Sequence, residues 1–139
     1  MNFKEEFLHF LWKNQIFEAR NLITYQGQEV RIKNPGIYNL NAGPDFLNAH
    51  ITIQDQDWYG HIEIHKHASD WYAHKHQDDA NYLPVILHVV YLQDLEIEDV
   101  LLKRIPHIEL KGRIPLKHFT NYDYFYNQMR KYPCHGQLH

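Results

Sequence analysis

The sequence has almost no cysteine and no long apolar run. Its single cysteine, Cys134, cannot form an intramolecular disulfide, so the fold must be stable without covalent cross-links. The strongly apolar segment at residues 85–90 is far shorter than the roughly 20 residues that a membrane-spanning helix needs, and the amino terminus lacks the basic and apolar regions of a secretory signal. These absences argue against a membrane protein and predict a cytoplasmic location.

The chain also lacks an excess of either charge. It has 14 Lys and Arg against 17 Asp and Glu, for a net charge of −3 with histidine neutral, which argues against a chain-wide surface for nucleic acid and leaves only local binding. A length of 139 residues and 44% hydrophobic residues are typical of one globular domain. We therefore expect residues 1–139 to be a single domain, as the N-terminal part of a longer protein, and the oligomeric state stays open.

Hydrophobic periodicity predicts an α+β fold with an N-terminal helix and a mixed β-sheet. A helix is expected between the third and fourth core strands, and the strands that begin at Asp45, Trp58 and Val85 are expected at the centre of the sheet. The predicted elements are a helix at Asn2–Phe17, a hairpin of Leu22–Tyr25 with Val30–Ile32, strands at Asp45–Ile53, Trp58–His67 and Val85–Tyr91, a helix at Ser69–Asn81, strand pieces at Val100–Ile105 and Ile108–Leu110, and a helix at Tyr122–Lys131.

Histidine is unusually abundant, with 12 residues, half of them between positions 61 and 88. Imidazole and carboxylate groups are the common ligands of transition metals such as Zn²⁺, so this density predicts a metal site. Any one of these histidines taken alone is better explained by a solvated or hydrogen-bonded surface, and His74 and His76, a single residue apart on a helix, would point in different directions. The candidate ligands are His61, His65, His67, Asp70, His74, His76 and His88.

Two carboxylates form a second candidate site. Asp45 follows Gly43-Pro44 at the start of one predicted strand, and Glu63 lies in the next strand. Together they could bind Mg²⁺ or Mn²⁺, which suits hydrolysis of phosphodiesters because the cation activates water and stabilises charge on the phosphate. Alternation along the strand puts His65 on the same face as Glu63, where it could orient the nucleophile, and puts Lys66 on the other face.

This order of residues resembles the PD-(D/E)xK superfamily, also called restriction-endonuclease-like. The matching segments are Pro44-Asp45, then Glu63-Ile64-His65, the predicted helix from Ser69 to Asn81 and the strand from Val85 to Tyr91. The resemblance implies a restriction-endonuclease-like core and metal-dependent cleavage of nucleic acid, with Asp45, Glu63 and His65 as the catalytic residues. His65 stands where the family usually has lysine.

At finer grain the sequence resembles a family of uncharacterised bacterial proteins that are longer than this chain. The resemblance rests on residues 41–46, 60–65, 69–71 and 85–90, and it implies no activity. The leading hypothesis is therefore a divalent-metal-dependent nuclease or phosphodiesterase. The alternative is a non-catalytic, histidine-rich domain that binds metal or takes part in protein assembly.

Overall fold

A computed structural model describes residues 3–73, 84–94 and 105–131 of the chain. These residues form an α+β fold with one mixed β-sheet. The elements are α1 (Glu5–Lys13), β1 (Val30–Asn34), β2 (Ile37–Tyr38), β3 (Phe46–Ile53), β4 (Gln56–His67), α2 (Asp70–Ala73), β5 (Val85–Leu92), β6 (His107–Glu109) and α3 (Leu116–Lys131).

The sheet has the strand order β1-β3-β4-β5-β6, and β2 also pairs with β3. Pairing is antiparallel from β1 to β4 and parallel from β4 to β6. The three strands predicted at the centre, β3, β4 and β5, are the central strands. Strand β5 is buried on both faces, because Leu87, His88, Val89 and Val90 are all fully buried.

The two faces of the sheet differ in chemistry because side chains alternate along each strand. One face carries Ile62, Ile64, Leu87 and Val89, which belong to the main hydrophobic core. Helix α1 contributes an apolar stripe to the same core, formed by Phe7, Leu8, Leu11 and Trp12. The opposite face carries buried polar side chains, namely Glu63, His65, His88 and His107.

Helix α1 is shorter than the predicted span Asn2–Phe17. It ends at Lys13 because Gln15 has a φ of 53°, in the left-handed region that cannot continue an α-helix. The amide side chain of Asn14 donates a hydrogen bond to the carbonyl of Phe10 at 3.0 Å, and that of Gln15 donates to the carbonyl of Trp12 at 2.6 Å. These side chains add to the backbone hydrogen bonds that Phe10 and Trp12 accept from Asn14 and Gln15 at the end of the helix.

The predicted hairpin is only partly correct. Its second half is β1, and the Leu22–Tyr25 segment is not a strand but pairs with the second half through one bridge, between Ile23 and Glu29. The backbone N–H of Tyr25 also donates to the carbonyl of His107 at 2.8 Å, which ties this segment to β6.

Three other predicted elements differ in extent from those in the structure or lie partly outside the described residues. Helix α3 begins at Leu116, six residues before the predicted start, and β6 matches the strand piece predicted near Ile108. The predicted helix Ser69–Asn81 is helical at Asp70–Ala73, and its remainder lies outside the described residues, as does most of Val100–Ile105. Within the part of the chain that the structure describes, no helix is long and apolar enough to cross a membrane.

Candidate functional site

The carboxyl groups of Asp45 and Glu63 meet between β3 and β4. Because Phe46 pairs with Ile62 across the two antiparallel strands, the residue before Phe46 lies opposite the residue after Ile62. Oδ2 of Asp45 accepts a hydrogen bond from the backbone N–H of Ile64 at 2.8 Å, and Glu63 is 2% exposed. The two carboxylates assigned to adjacent strands from the sequence are therefore neighbours.

A turn held by Asn39 positions Asp45. The side-chain amide of Asn39 donates hydrogen bonds to the carbonyls of Pro44 at 2.9 Å and Ala42 at 3.2 Å, and its backbone N–H donates to the carbonyl of Asp45 at 2.8 Å. Gly43 has a φ of 110°, a backbone conformation that side-chain-bearing residues rarely adopt. The turn thus positions the backbone of Asp45, and the hydrogen bond from Ile64 orients its carboxylate.

The two carboxyl groups share a proton. Burial, together with the hydrogen bond to Asp45 and the negative charge of Asp45, raises the pKa of Glu63 to about 11, against a smaller lowering by the backbone N–H of Ile64. A buried carboxyl group beside a negative carboxylate keeps its proton unless a cation compensates the charge. Glu63 is therefore a neutral acid at pH 7, hydrogen-bonded to the Asp45 carboxylate.

Helix α1 adds an imidazole and a third carboxyl group to this pair. Nε2 of His9 lies 3.6 Å from Oδ1 of Asp45 and 4.0 Å from Oε1 of Glu5, while Nδ1 of His9 lies 2.9 Å from the hydroxyl of Tyr38. Burial, followed by the negative charges of Asp45 and Asp70, raises the pKa of Glu5 to about 7. The site thus consists of Asp45 and Glu63 flanked by two side chains of the first helix.

Glu5 and His9 were not predicted from the sequence as site residues. On an amphipathic helix a polar residue is expected to face solvent, and an acidic residue in the first turn is explained by the helix dipole. The available signal was their four-residue spacing, which places both on the same side of the helix. That signal gives no information on which strand the helix crosses.

His65 contacts a histidine of the neighbouring strand β5. Its Nδ1 lies 2.7 Å from Nε2 of His88, and Nδ1 of His88 lies 2.9 Å from Nδ1 of His107. All three rings are at most 1% exposed, and the buried ring of Trp71 packs edge-on against His88 with the centroids 5.0 Å apart. The three imidazoles are joined in a row across β4, β5 and β6, which we call the histidine row.

The other predicted ligands lie in separate settings. Nδ1 of His61 accepts a hydrogen bond from the backbone N–H of Asn48 at 3.2 Å. His67 has a half-exposed side chain, and its Nδ1 is 3.8 Å from Oδ2 of Asp70. The structure does not bring these groups together with His65 and His88. The remaining two, His74 and His76, lie outside the described residues.

Over residues 3–73, 84–94 and 105–131, no group of three or more histidine, cysteine, aspartate and glutamate side chains is arranged to hold a metal ion. The donors around Asp45 are nevertheless of the right chemistry for a hard divalent cation, since carboxylate oxygens are its preferred ligands. Nε2 of His9 is buried and has no hydrogen-bond partner among the described residues. A buried nitrogen without a hydrogen-bond partner, next to carboxyl groups that keep their protons, is consistent with a site where a cation would bind.

Comparison with known proteins gives one match. No curated protein and no solved structure matches the sequence. A family model described as a protein of unknown function, DUF2851, matches residues 5–139. This span includes Glu5, His9, the carboxyl pair and the whole histidine row, and the chain therefore belongs to the DUF2851 family.

Proposed function

We propose that the chain is a divalent-metal-dependent phosphodiesterase-like domain that acts on nucleic acid, with Asp45 and Glu63 as the residues that bind Mg²⁺ or Mn²⁺. The observation that carries the proposal is that the carboxyl groups of Asp45 and Glu63 meet between adjacent strands. Glu63 is held almost fully buried beside Asp45, although burial, together with the hydrogen bond to Asp45 and the negative charge of Asp45, raises the pKa of Glu63 to about 11. A structural role would be served as well by an amide or an apolar pair, which needs no compensating charge.

A divalent cation would take the place of the shared proton. When Glu63 loses that proton, the pair offers two negative carboxylates, and Oδ1 of Asp45 faces away from the hydrogen bond that Oδ2 accepts from Ile64. The cation would supply an activated water and stabilise negative charge on the phosphate. Because no ligand set of three is preformed among the described side chains, small rotations of Glu63 and Glu5 would complete the coordination.

His9 is the imidazole best placed to handle a proton in this site. Its Nε2 points toward Asp45 and Glu5, and its Nδ1 is oriented by the hydroxyl of Tyr38. A histidine oriented through one nitrogen can accept a proton at the other. We therefore assign to His9 the role of orienting the nucleophile that the sequence suggested for His65, whose ring is directed to His88.

The strand directions support a restriction-endonuclease-like core as part of this proposal. Strands β3 and β4 are antiparallel, a helix starts after β4, and β5 returns parallel to β4. This is the order that the resemblance implied for Pro44-Asp45, Glu63-Ile64-His65 and Val85–Tyr91. A fold-level resemblance is not evidence of activity, so the proposal depends on the carboxyl pair.

Cleavage assays test the proposal. Labelled single- and double-stranded DNA and RNA are incubated with the protein in Mg²⁺ or Mn²⁺, and we expect metal-dependent cleavage that falls to background in Asp45→Asn and Glu63→Ala. Asp57→Asn is the matched control, because Asp57 is exposed and pairs with His50 at 2.7 Å. Absence of cleavage by folded wild-type protein would contradict catalysis and favour the alternative, a non-catalytic histidine-rich domain that binds metal or assembles with other proteins.

A further inference from the structure

We propose that a cleft between β3, β4 and the start of β5 binds an unpaired nucleobase and so selects single-stranded nucleic acid. The cleft has a volume of about 370 Å³ and is lined by Asn48, Ala49, Tyr59, Gly60, His61 and Pro84. That volume lies within the range of small-molecule sites in proteins. The base site follows from the contacts of these residues, whereas the assignment of nucleic acid as the source of the base rests on the proposed function.

Tyr59 provides a stacking platform in the cleft. Tyr59 is 71% exposed, yet one face of its ring is covered by the ring of His50, with the centroids 4.3 Å apart and the planes 15° from parallel. Nε2 of His50 lies 2.7 Å from Oδ1 of Asp57, which anchors the imidazole. The tyrosine ring is therefore held from one side, and its other face is open. Nucleobases stack on exposed rings of this kind.

Asn48 and His61 add hydrogen-bonding groups beside this ring. The backbone N–H of Asn48 donates to Nδ1 of His61 at 3.2 Å, so the hydrogen of the neutral imidazole is on Nε2. His61 thus offers a donor to the cleft, and the exposed side-chain amide of Asn48 offers both a donor and an acceptor. An asparagine amide matches the neighbouring donor and acceptor on the edge of a base, adenine in particular.

The backbone is shaped to place these groups. Asn48 has a φ of 57°, in the left-handed region, and lies in the irregular stretch of β3 between Phe46 and Ala49. Such a bulge directs a side chain out of the regular alternation of the strand. A Cβ at Gly60 would lie 2.6 Å from the carbonyl oxygen of Pro84, so only glycine allows Pro84 to come close enough to line the cleft. The bulge and the glycine together give the cleft its shape.

The cleft lies beside the carboxyl pair. Asn48 follows Asp45 by three residues along the chain. His61 precedes Glu63 by two residues in β4, which places both on the same face of the strand. Two residues of an extended strand span roughly 7 Å, a distance that one extended nucleotide can bridge. A phosphate at the carboxyl pair would therefore bring a neighbouring base to the cleft.

Recognition from two sides requires an unpaired base. Tyr59 needs a free face of the base, while Asn48 and His61 need a free edge. In a duplex the faces are stacked and the pairing edges are occupied, so the base must first be unstacked and unpaired. None of the residues that line the cleft is a lysine or an arginine. Recognition therefore depends on the base, and nucleoside binding should depend only weakly on salt.

NMR titration of the protein in EDTA with adenosine, guanosine, cytidine and uridine tests the base site without phosphate or metal. We expect saturable shifts of the Tyr59 ring signals and the Asn48 amide signals. Tyr59→Leu should weaken binding at least about fivefold, whereas Tyr59→Phe, which keeps the ring, should stay within about twofold of wild type. Trp58→Leu is the matched control, because Trp58 is an exposed ring on the other face of the same strand.

Labelled single strands of DNA and of RNA, with the matching duplexes, provide the second measurement, again in EDTA. We expect the single strands to bind at least about tenfold more tightly than the duplexes, and comparison of DNA with RNA identifies the source of the base. Asn48→Gly should keep the fold, because glycine readily adopts a positive φ, and should reduce the preference for adenosine.

Three outcomes would overturn the base site. They are the absence of saturable shifts in the folded wild-type protein with every nucleoside, equal losses in Tyr59→Leu and Trp58→Leu, and duplex binding as tight as that of single strands. Each of them leaves cleavage at the carboxyl pair to be judged by its own assay. Conversely, base binding by a protein that cleaves no substrate would contradict catalysis and support the base site.

Discussion

At pH 8, Glu63→Gln is expected to be more stable than the wild-type protein, by about 2 to 4 kcal/mol in free energy of unfolding. Glutamine imitates the neutral acid and can donate a hydrogen bond to Asp45. In the wild-type protein, folding at this pH requires Glu63 to bind a proton that the unfolded chain does not hold, because burial and Asp45 raise its pKa to about 11. The variant has no such requirement.

The sign of the pH dependence follows from the same shift. Since the folded protein binds a proton that the unfolded chain releases above its ordinary pKa of 4.5, the contribution is complete below pH 4.5 and is lost as the pH rises toward 11. Glu5, with a pKa raised to about 7, acts in the same direction over the lower part of this range. The gap between Glu63→Gln and wild type should therefore widen from pH 5 to pH 9.

Urea denaturation at pH 5, 7 and 9 measures this difference. Glu29→Gln is the matched control, because Glu29 is a half-exposed glutamate that pairs with Arg31 at 3.0 Å and should show a change of no more than about 1 kcal/mol at any pH. If Glu63→Gln were destabilised to the same extent at every pH, Glu63 would be ionised in the folded protein, and the shared proton would be excluded.

Two substitutions of Asp45 should separate its structural role from its charge. Asp45→Ala removes the acceptor for the backbone N–H of Ile64, and we expect a loss of about 1 to 3 kcal/mol at pH 5. Asp45→Asn retains a carbonyl oxygen for this hydrogen bond and removes the charge, so its free energy of unfolding should stay within about 1 kcal/mol of wild type. Both variants should lose Mn²⁺ binding.

Urea denaturation and Mn²⁺ titration of both variants provide the measurements. The charge-neutral Asp45→Asn is the more informative variant, because it is expected to keep the stability of the fold and to lose only the binding of Mn²⁺. Retention of Mn²⁺ affinity in Asp45→Asn would contradict a role for this carboxylate as a ligand. Equal stability of Asp45→Ala and wild type would show that the bond to Ile64 contributes little.

The position of the carboxyl pair could be predicted from the sequence because it depends on short-range patterns. Gly43-Pro44 indicates a turn, and alternation along β4 assigns Glu63 to one face and Lys66 to the other. Lys66 does lie on the opposite face, with its Nζ 4.9 Å from the ring centroid of Phe3. These features depend on the local chain direction, which the sequence specifies.

The partners of the pair could not be predicted in this way. Glu5 and His9 reach Asp45 only because α1 packs across β4, and helix periodicity does not specify which strand a helix crosses. The partners of His65 depend on strand order, since His107 follows it by more than 40 residues along the chain and is brought near through β5. The sequence indicates on which face a side chain lies, and tertiary packing determines which side chains it meets there.

Calorimetric titration of the wild-type protein with Mn²⁺ in two buffers of different ionisation enthalpy at pH 7.5 shows whether a cation replaces the proton between Asp45 and Glu63. If the cation replaces the proton shared by Asp45 and Glu63, binding will release about one proton per ion, and Glu63→Gln will release none from this pair. Saturable binding without proton release, or no binding by the folded protein, would contradict the account.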